Sequence, residues 1–217
     1  MKNDIIILGE NEVEVKKKDF VDKGKIKYLS EDEFTRLKRT LDNEKALELK
    51  MIIMLQYILA LRINEVLKIK CSDIKMLSDK QGKNYYVVQT HNSKQRREVN
   101  RTKELRVSTE VAMLLLSVIN KYGLKVEDFV CRTKYGKVMS ERNYNKYLKK
   151  IFEKANIDIS KAHSHAFRHS RAIHLLNAGM NIAQLQRVLG HTNFLNTMIY
   201  AKYSNYDVNK VLEAIDG

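Results

Sequence analysis

The spacing of apolar residues changes period twice along this chain, and that constrains its fold more than any other property. From Ser30 to Ile69 apolar residues recur every three or four positions, as one face of a helix requires. Between Ile74 and Thr109 they gather into short runs, Tyr85-Tyr86-Val87-Val88 and Leu105-Arg106-Val107, separated by Gly82 and polar residues in the manner of strands. After Ser108 the helical period returns. The expectation is a mainly α fold carrying one small antiparallel three-stranded β-sheet.

Local chemistry sets the expected boundaries. Ser30-Glu31-Asp32-Glu33 reads as a capping box, followed by Phe34, Leu37 and Leu41 at helical spacing. A second helix is expected over Glu44–Leu59, apolar enough through Leu47, Met51, Met54, Leu55 and Ile58 to be buried on most sides. A shorter one covers Ile63–Ile69. Beyond the sheet, helices are expected over Thr109–Tyr122, Glu141–Asn156, about Ser164–Ala178 and Ile182–Leu189, with one or two after Asn193. Gly179 and Gly190 stand where helix stops belong. Residues 1–26 show no sustained period and read as a flexible arm.

Lys and Arg number 40 against 26 Asp and Glu, a formal net charge of +14. Such a cation is drawn to polyanions with salt-sensitive affinity, so double-stranded DNA is the expected partner. A lysine-rich composition also arises in low-GC genomes, so charge alone does not decide the matter. Cys71 and Cys131 form no C-x-x-C pair and read as buried thiols suited to a reducing cytoplasm. The early apolar run Ile5-Ile6-Ile7-Leu8 falls far short of the ~20 residues of a membrane span, so no membrane partner is expected.

Chemistry concentrates in a few islands. Ala60-Leu61-Arg62-Ile63-Asn64-Glu65 and His165-Ala166-Phe167-Arg168-His169, followed by Leu189-Gly190-His191 and Tyr200, bring arginines, histidines and one candidate nucleophile. Two planar, permanently charged guanidinium groups can fork onto the non-bridging oxygens of one phosphate. A phenol with a pKa near ~10 is protonated at neutral pH and needs acid–base help to attack. The set is an inventory for cleaving a phosphodiester without a metal.

These residues, with Leu189-Gly190-His191-Thr192-Asn193 and Thr197-Met198-Ile199-Tyr200, resemble the catalytic domain of the tyrosine recombinase, or phage integrase, family over roughly Lys27 to Asn205. The resemblance implies a site-specific DNA recombinase or integrase of the kind carried by mobile elements. In it Arg62 and Arg168 bind the scissile phosphate, and Tyr200 forms a 3′-phosphotyrosine link that frees a 5′-hydroxyl. It also implies roles for His165 as proton acceptor or phosphate ligand and for His191 as donor to a non-bridging oxygen, with neither metal nor ATP required. The family's hairpin lysine, general acid for the leaving oxygen, falls on Lys103, with Lys94 as the alternative. Glu65, three residues after Arg62, is placed to orient it from the same helical face.

Each assignment has a plainer rival. Tyr203 and Tyr206 compete with Tyr200, and His163, His165 and His169 make a zinc trio on paper, although i, i+2 positions diverge on a helix. Lys94, Arg96, Arg97 and Arg101 in the hairpin, and Arg132, Lys134, Lys137, Arg142, Lys146, Lys149 and Lys150 beyond it, are expected to contact phosphate backbone or simply to form a solvated face.

Most family members place a DNA-clamping domain before the catalytic part, and here the catalytic part begins near Lys27. Either a short recombinase or a fragment of a longer protein is implied, helped on DNA by self-association into a tetramer, from a protomer that is monomeric when free, and by accessory DNA-bending proteins. Val208, Val211, Leu212 and Ile215 predict a tail helix over residues 206–217, docked on a neighbouring protomer or on its own domain. A type IB topoisomerase-like enzyme and a non-catalytic DNA-binding regulator stand as the other two function classes.

Overall fold

The computed structural model describes residues 26–91 and 102–204. Outside them lie the expected arm, the tail helix, Tyr206, and the hairpin cations Lys94, Arg96, Arg97 and Arg101. The described chain is mainly helical with one three-stranded antiparallel sheet, as the two periods predict.

Helix α1 (Glu31–Asn43) opens on the expected capping box: the Glu33 amide donates to Ser30 Oγ at 3.2 Å and the Ser30 amide to Glu33 Oε2 at 2.8 Å. The second helix starts later than the expected Glu44. Lys45 adopts a φ of 50°, its amide donates to the Asp42 carbonyl and the Ala46 amide to the Leu41 carbonyl, so the chain reverses before α2 (Leu47–Ile58) begins. Every residue of α2 from Met51 to Tyr57 is buried, which explains why its sequence shows no polar face.

The next helix is shorter than expected. α3 spans only Ile63–Val66, because a one-turn closure of the Ile69 amide onto the Val66 carbonyl ends it and Lys70 then pairs with Phe129 as an isolated bridge. Strands β1 (Ile74–Ser78), β2 (Asn84–His91) and β3 (Thr102–Val107) follow in spatial order, with Val88 opposite both Ile74 and Leu105. Then come α4 (Thr109–Tyr122), α5 (Glu141–Lys154), α6 (Ala166–Asn177), α7 (Ile182–Leu189) and α8 (Leu195–Met198), the last running into a 3₁₀ turn over Ile199–Tyr203. The stretch after Ser108 is not helical throughout. Between α4 and α5 the chain makes a tight turn closed by an Arg132–Val138 bridge.

Two hydrophobic clusters hold these elements. The larger runs from α1 and α2 through α4 and α5 to the start of α6. The smaller consists of Ala60, Ala172, Ile173, Leu176, Leu185, Leu189 and the ring of Tyr200. Of the two cysteines, Cys131 is buried as expected, with burial pushing its thiol up to about 12, while Cys71 is only half-buried because it lies on the turn leading into β1.

Candidate active site

Arg62 is positioned by its own backbone. It is the N-cap of α3 in an extended conformation, and Glu65 reaches back to it twice: the Arg62 amide donates to Oε2 at 2.9 Å and Nη1 to Oε1 at 3.1 Å. The expected pairing is present, but through cap geometry rather than a shared helical face, since Arg62 precedes the helix. Glu65 is buried and the Arg62 side chain is about a third exposed, so the carboxylate is fixed and the cation faces outward.

Arg168, on the first turn of α6, is 4% exposed and ties together segments remote in sequence. Its Nη1 donates to the Ala60 carbonyl at 2.6 Å and its Nη2 to the Leu189 carbonyl at 2.7 Å. Those carbonyls lie two residues before Arg62 and two before His191. One guanidinium therefore fixes the spacing of three of the sequence islands. Ala60 itself takes a left-handed φ of 50°, a strained conformation for a residue with a Cβ, as the chain leaves α2. Burial, then the nearby Arg62, lowers the Arg168 guanidinium to about 10, with Tyr200 and Glu65 acting the other way. It remains charged at neutral pH.

His191 is held at both ends of its residue. Its amide donates to the Gln186 carbonyl beyond the left-handed Gly190, and Gln186 Nε2 donates to the His191 carbonyl at 3.0 Å. Its Nδ1 lies 2.9 Å from Oγ1 of the buried Thr197. His165 occupies the N-cap position of α6 without a side-chain cap bond and is exposed.

Tyr200 is 2% exposed, its ring walled into the smaller core and its hydroxyl 2.9 Å from His169 Nδ1. Burial raises its pKa, and the positive charges of Arg168 and then Arg62 oppose that rise. The phenol thus lies within the field of both arginines. The rival Tyr203 has a structural partner, since its hydroxyl accepts from the Ile26 amide at 2.9 Å and its ring packs edge-on to Tyr28.

His163 and His165 stand with ring centroids 6.4 and 6.1 Å from that of His169. Among the described residues no group of three or more His, Cys, Asp or Glu is arranged to hold a metal ion. Burial, then the fields of His165, His163, Arg168 and His191, pushes His169 down to about 4, so its imidazole is neutral at neutral pH.

Other expected site residues are more peripheral. Lys103 is on β3 opposite Thr90, and its side chain lies outside the described residues. Lys134, Arg142 and Lys146 are exposed, the last two on the outer face of α5, whose inner face carries Tyr144, Leu148 and Phe152. Arg132 is tied into the turn between α4 and α5: Nε donates to the Phe129 carbonyl, Nη1 to that of Gly136 and Nη2 to Asp128. Its guanidinium organises that turn, a structural role the sequence reading did not foresee. Sequence reasoning missed the positions of His169, Gln186 and the Ala60 carbonyl. Gln186 and a backbone carbonyl carry no distinguishing pattern, whereas His169 was visible in its motif without a partner to give it meaning.

The chain is similar to known proteins over most of its described length. The family model described as the phage integrase family matches residues 27–206. Tyrosine recombinase XerC of Staphylococcus aureus (strain MSSA476) is 31% identical over 186 residues, which cover 85% of this chain and 59% of that one. Among solved structures, XerH site-specific recombinase bound to a palindromic difH substrate superposes with a TM-score of 0.69 at 17% identity, over 88% of this chain and 53% of that one. The catalytic domain of bacteriophage HP1 integrase gives 0.61 at 19% identity, over 87% of this chain and 95% of that one. The chain spans about three fifths of the length of the curated relatives it matches. A family match over most of the chain, with the same fold in solved recombinases, means that this chain belongs to the phage integrase family.

Proposed function

We propose that this protein is a site-specific DNA recombinase that cleaves and rejoins strands through a tyrosine-linked intermediate. The observation that carries the reading is the position of the Tyr200 hydroxyl within the field of both Arg62 and Arg168, whose segments one guanidinium ties together.

A DNA phosphate entering over the exposed side of Arg62 meets two cations, and their charge favours the extra negative charge of the transition state. Arg168 already uses two of its N–H donors on carbonyls, so it approaches the phosphate in a fixed orientation and loses little freedom on binding. Tyr200 Oη attacks phosphorus, the bond to the 5′ oxygen breaks, and that oxygen takes a proton from a general acid, the role assigned to Lys103 with Lys94 as alternative. The phenolic proton passes to His165. His165 and His191 contact the phosphate oxygens, and Glu65 keeps Arg62 aligned. Attack by the hydroxyl of another strand reverses the step and rejoins DNA. The energy of the broken bond is retained in the phosphotyrosine, so no ATP or metal enters the balance.

Double-stranded DNA is the partner in this reading, in keeping with the excess of basic residues. Exposed Lys134, Arg142 and Lys146, with the hairpin cations, supply phosphate contacts that hold the duplex without reading its sequence. Several protomers acting on paired sites are required for exchange between two duplexes.

Incubation with nicked duplexes of randomised sequence tests the proposal. The expected product is a protein–DNA adduct that survives denaturant and vanishes in Tyr200→Phe. Adduct formation that persists in Tyr200→Phe, or that never occurs on any duplex, removes the reading.

A further inference from the structure

Tyr200 is held in two ways that differ in kind. Its ring is packed in the smaller core against α6 and α7, and its hydroxyl is within hydrogen-bonding distance of one ring nitrogen of His169. The ring packing fixes where the oxygen sits. It leaves open where the phenolic proton points, because the O–H bond rotates about the C–O axis. That orientation decides whether a lone pair or a proton faces an incoming phosphorus.

We propose that His169 is a positioning residue for strand cleavage, its unprotonated Nδ1 accepting the Tyr200 hydroxyl so that the phenolic proton is turned aside and the oxygen lone pairs are left for attack. This rests on the proposed function for the target of the attack, but not for the hydrogen bond itself.

Three observations support the assignment. First, the Oη–Nδ1 separation is 2.9 Å and the ring centroids lie 5.7 Å apart, so the contact is a hydrogen bond rather than a stacking accident. Second, a phenolic O–H at 2% exposure needs an acceptor, and leaving it unmatched costs about 1–3 kcal/mol. Third, the groups facing His169 are basic or neutral from every direction: His163 and His165 precede α6, Arg168 lies on it, His191 follows α7, and Tyr200 is the neighbour on the closing turn. Those surroundings keep the imidazole uncharged, and an uncharged imidazole offers one lone pair. With Nδ1 accepting, the ring hydrogen resides on Nε2.

The same surroundings separate orientation from proton removal. An imidazole held down to about 4 is too weak a base to carry away the proton of a phenol whose own pKa is raised. His169 therefore aims the hydroxyl, and the proton passes to His165, the acceptor in the proposed reaction, as the phosphate arrives.

Asparagine places a side-chain carbonyl near the position of Nδ1, whereas leucine offers no acceptor, so the two substitutions divide the possibilities. On a nicked duplex that traps the adduct, His169→Leu should slow covalent attachment about tenfold with DNA affinity unchanged, a rate effect matching one hydrogen bond. His169→Asn should stay within about threefold of the parent protein. Equal rates for the parent and His169→Leu overturn the proposal. Equal losses in both variants also overturn it, because they require the imidazole itself to take the proton. A second measurement is independent of cleavage: in ¹⁵N-histidine NMR spectra at neutral pH, His169 should show an unprotonated Nδ1 whose shift moves in Tyr200→Phe, with the assignment fixed by its loss in His169→Asn. A protonated Nδ1, or a resonance indifferent to Tyr200→Phe, overturns the assignment even if the protein forms no adduct, an outcome that would count against strand cleavage alone.

Discussion

At the scale of single residues, the side chains of this candidate site are aimed by their neighbours. Glu65 holds Arg62 by its backbone and its guanidinium at once, and Gln186 holds His191 by amide and carbonyl. Glu65→Gln keeps the shape but removes the charge on which the side-chain contact depends. A charge-assisted hydrogen bond of about 1.5–3 kcal/mol implies at least about tenfold slower adduct formation in that variant, with DNA affinity altered far less. Single-turnover rates alongside a binding titration check this; a loss confined to affinity would contradict it. Arg62, Arg168, His191 and Tyr200 were legible in the sequence because their side chains are uncommon in those contexts and come in a fixed order. Of their supports only Glu65 was legible, by its spacing from Arg62; the Ala60 and Leu189 carbonyls were not, because they belong to the backbone and every residue has one.

Elements show a different pattern of legibility. The capping box of α1 and the left-handed Gly190 after α7 were written in residues whose side chains, or lack of one, do the capping. The end of α1 was hidden, since Lys45 takes the left-handed position that glycine ordinarily fills. Lys45 is exposed, and the two closing hydrogen bonds are donated by the backbone amides of Lys45 and Ala46. Lys45→Gly removes the Cβ clash without disturbing them and should stabilise the protein by about 1 kcal/mol. A higher urea midpoint at unchanged slope is the expected result, and an unchanged or lower midpoint counts against it. α3 likewise shrank to one turn, with the Ile69 carbonyl accepting from the Val130 amide and Lys70 pairing with Phe129 where a longer helix would have run.

Over the whole molecule, the change of period located the sheet and the helical layers correctly, because burial imposes period on sequence. What it left unseen is the division into two cores, which depends on contacts between α6, α7 and the closing turn. That division links the site to acid stability. His169 is neutral when folded down to about pH 4 but protonates near 6.5 when unfolded, so its contribution is complete above pH 6.5 and is lost as pH falls towards 4. By about pH 5 the loss amounts to about 2 kcal/mol. Burial shifts His163 and His174 in the same direction. The urea midpoint should therefore drop between about pH 7.5 and about pH 5, and drop less in His169→Asn; equal drops in both proteins would show that this imidazole is not responsible.

The guanidinium of Arg168 has one more implication. Because it fastens the carbonyls of residues 60 and 189, its own geometry is finished only when the chain from one to the other has been made and folded. A polypeptide grown only as far as α6 lacks one of those anchors, so the segments carrying Arg62, Arg168 and His191 are joined only after α7 has been added.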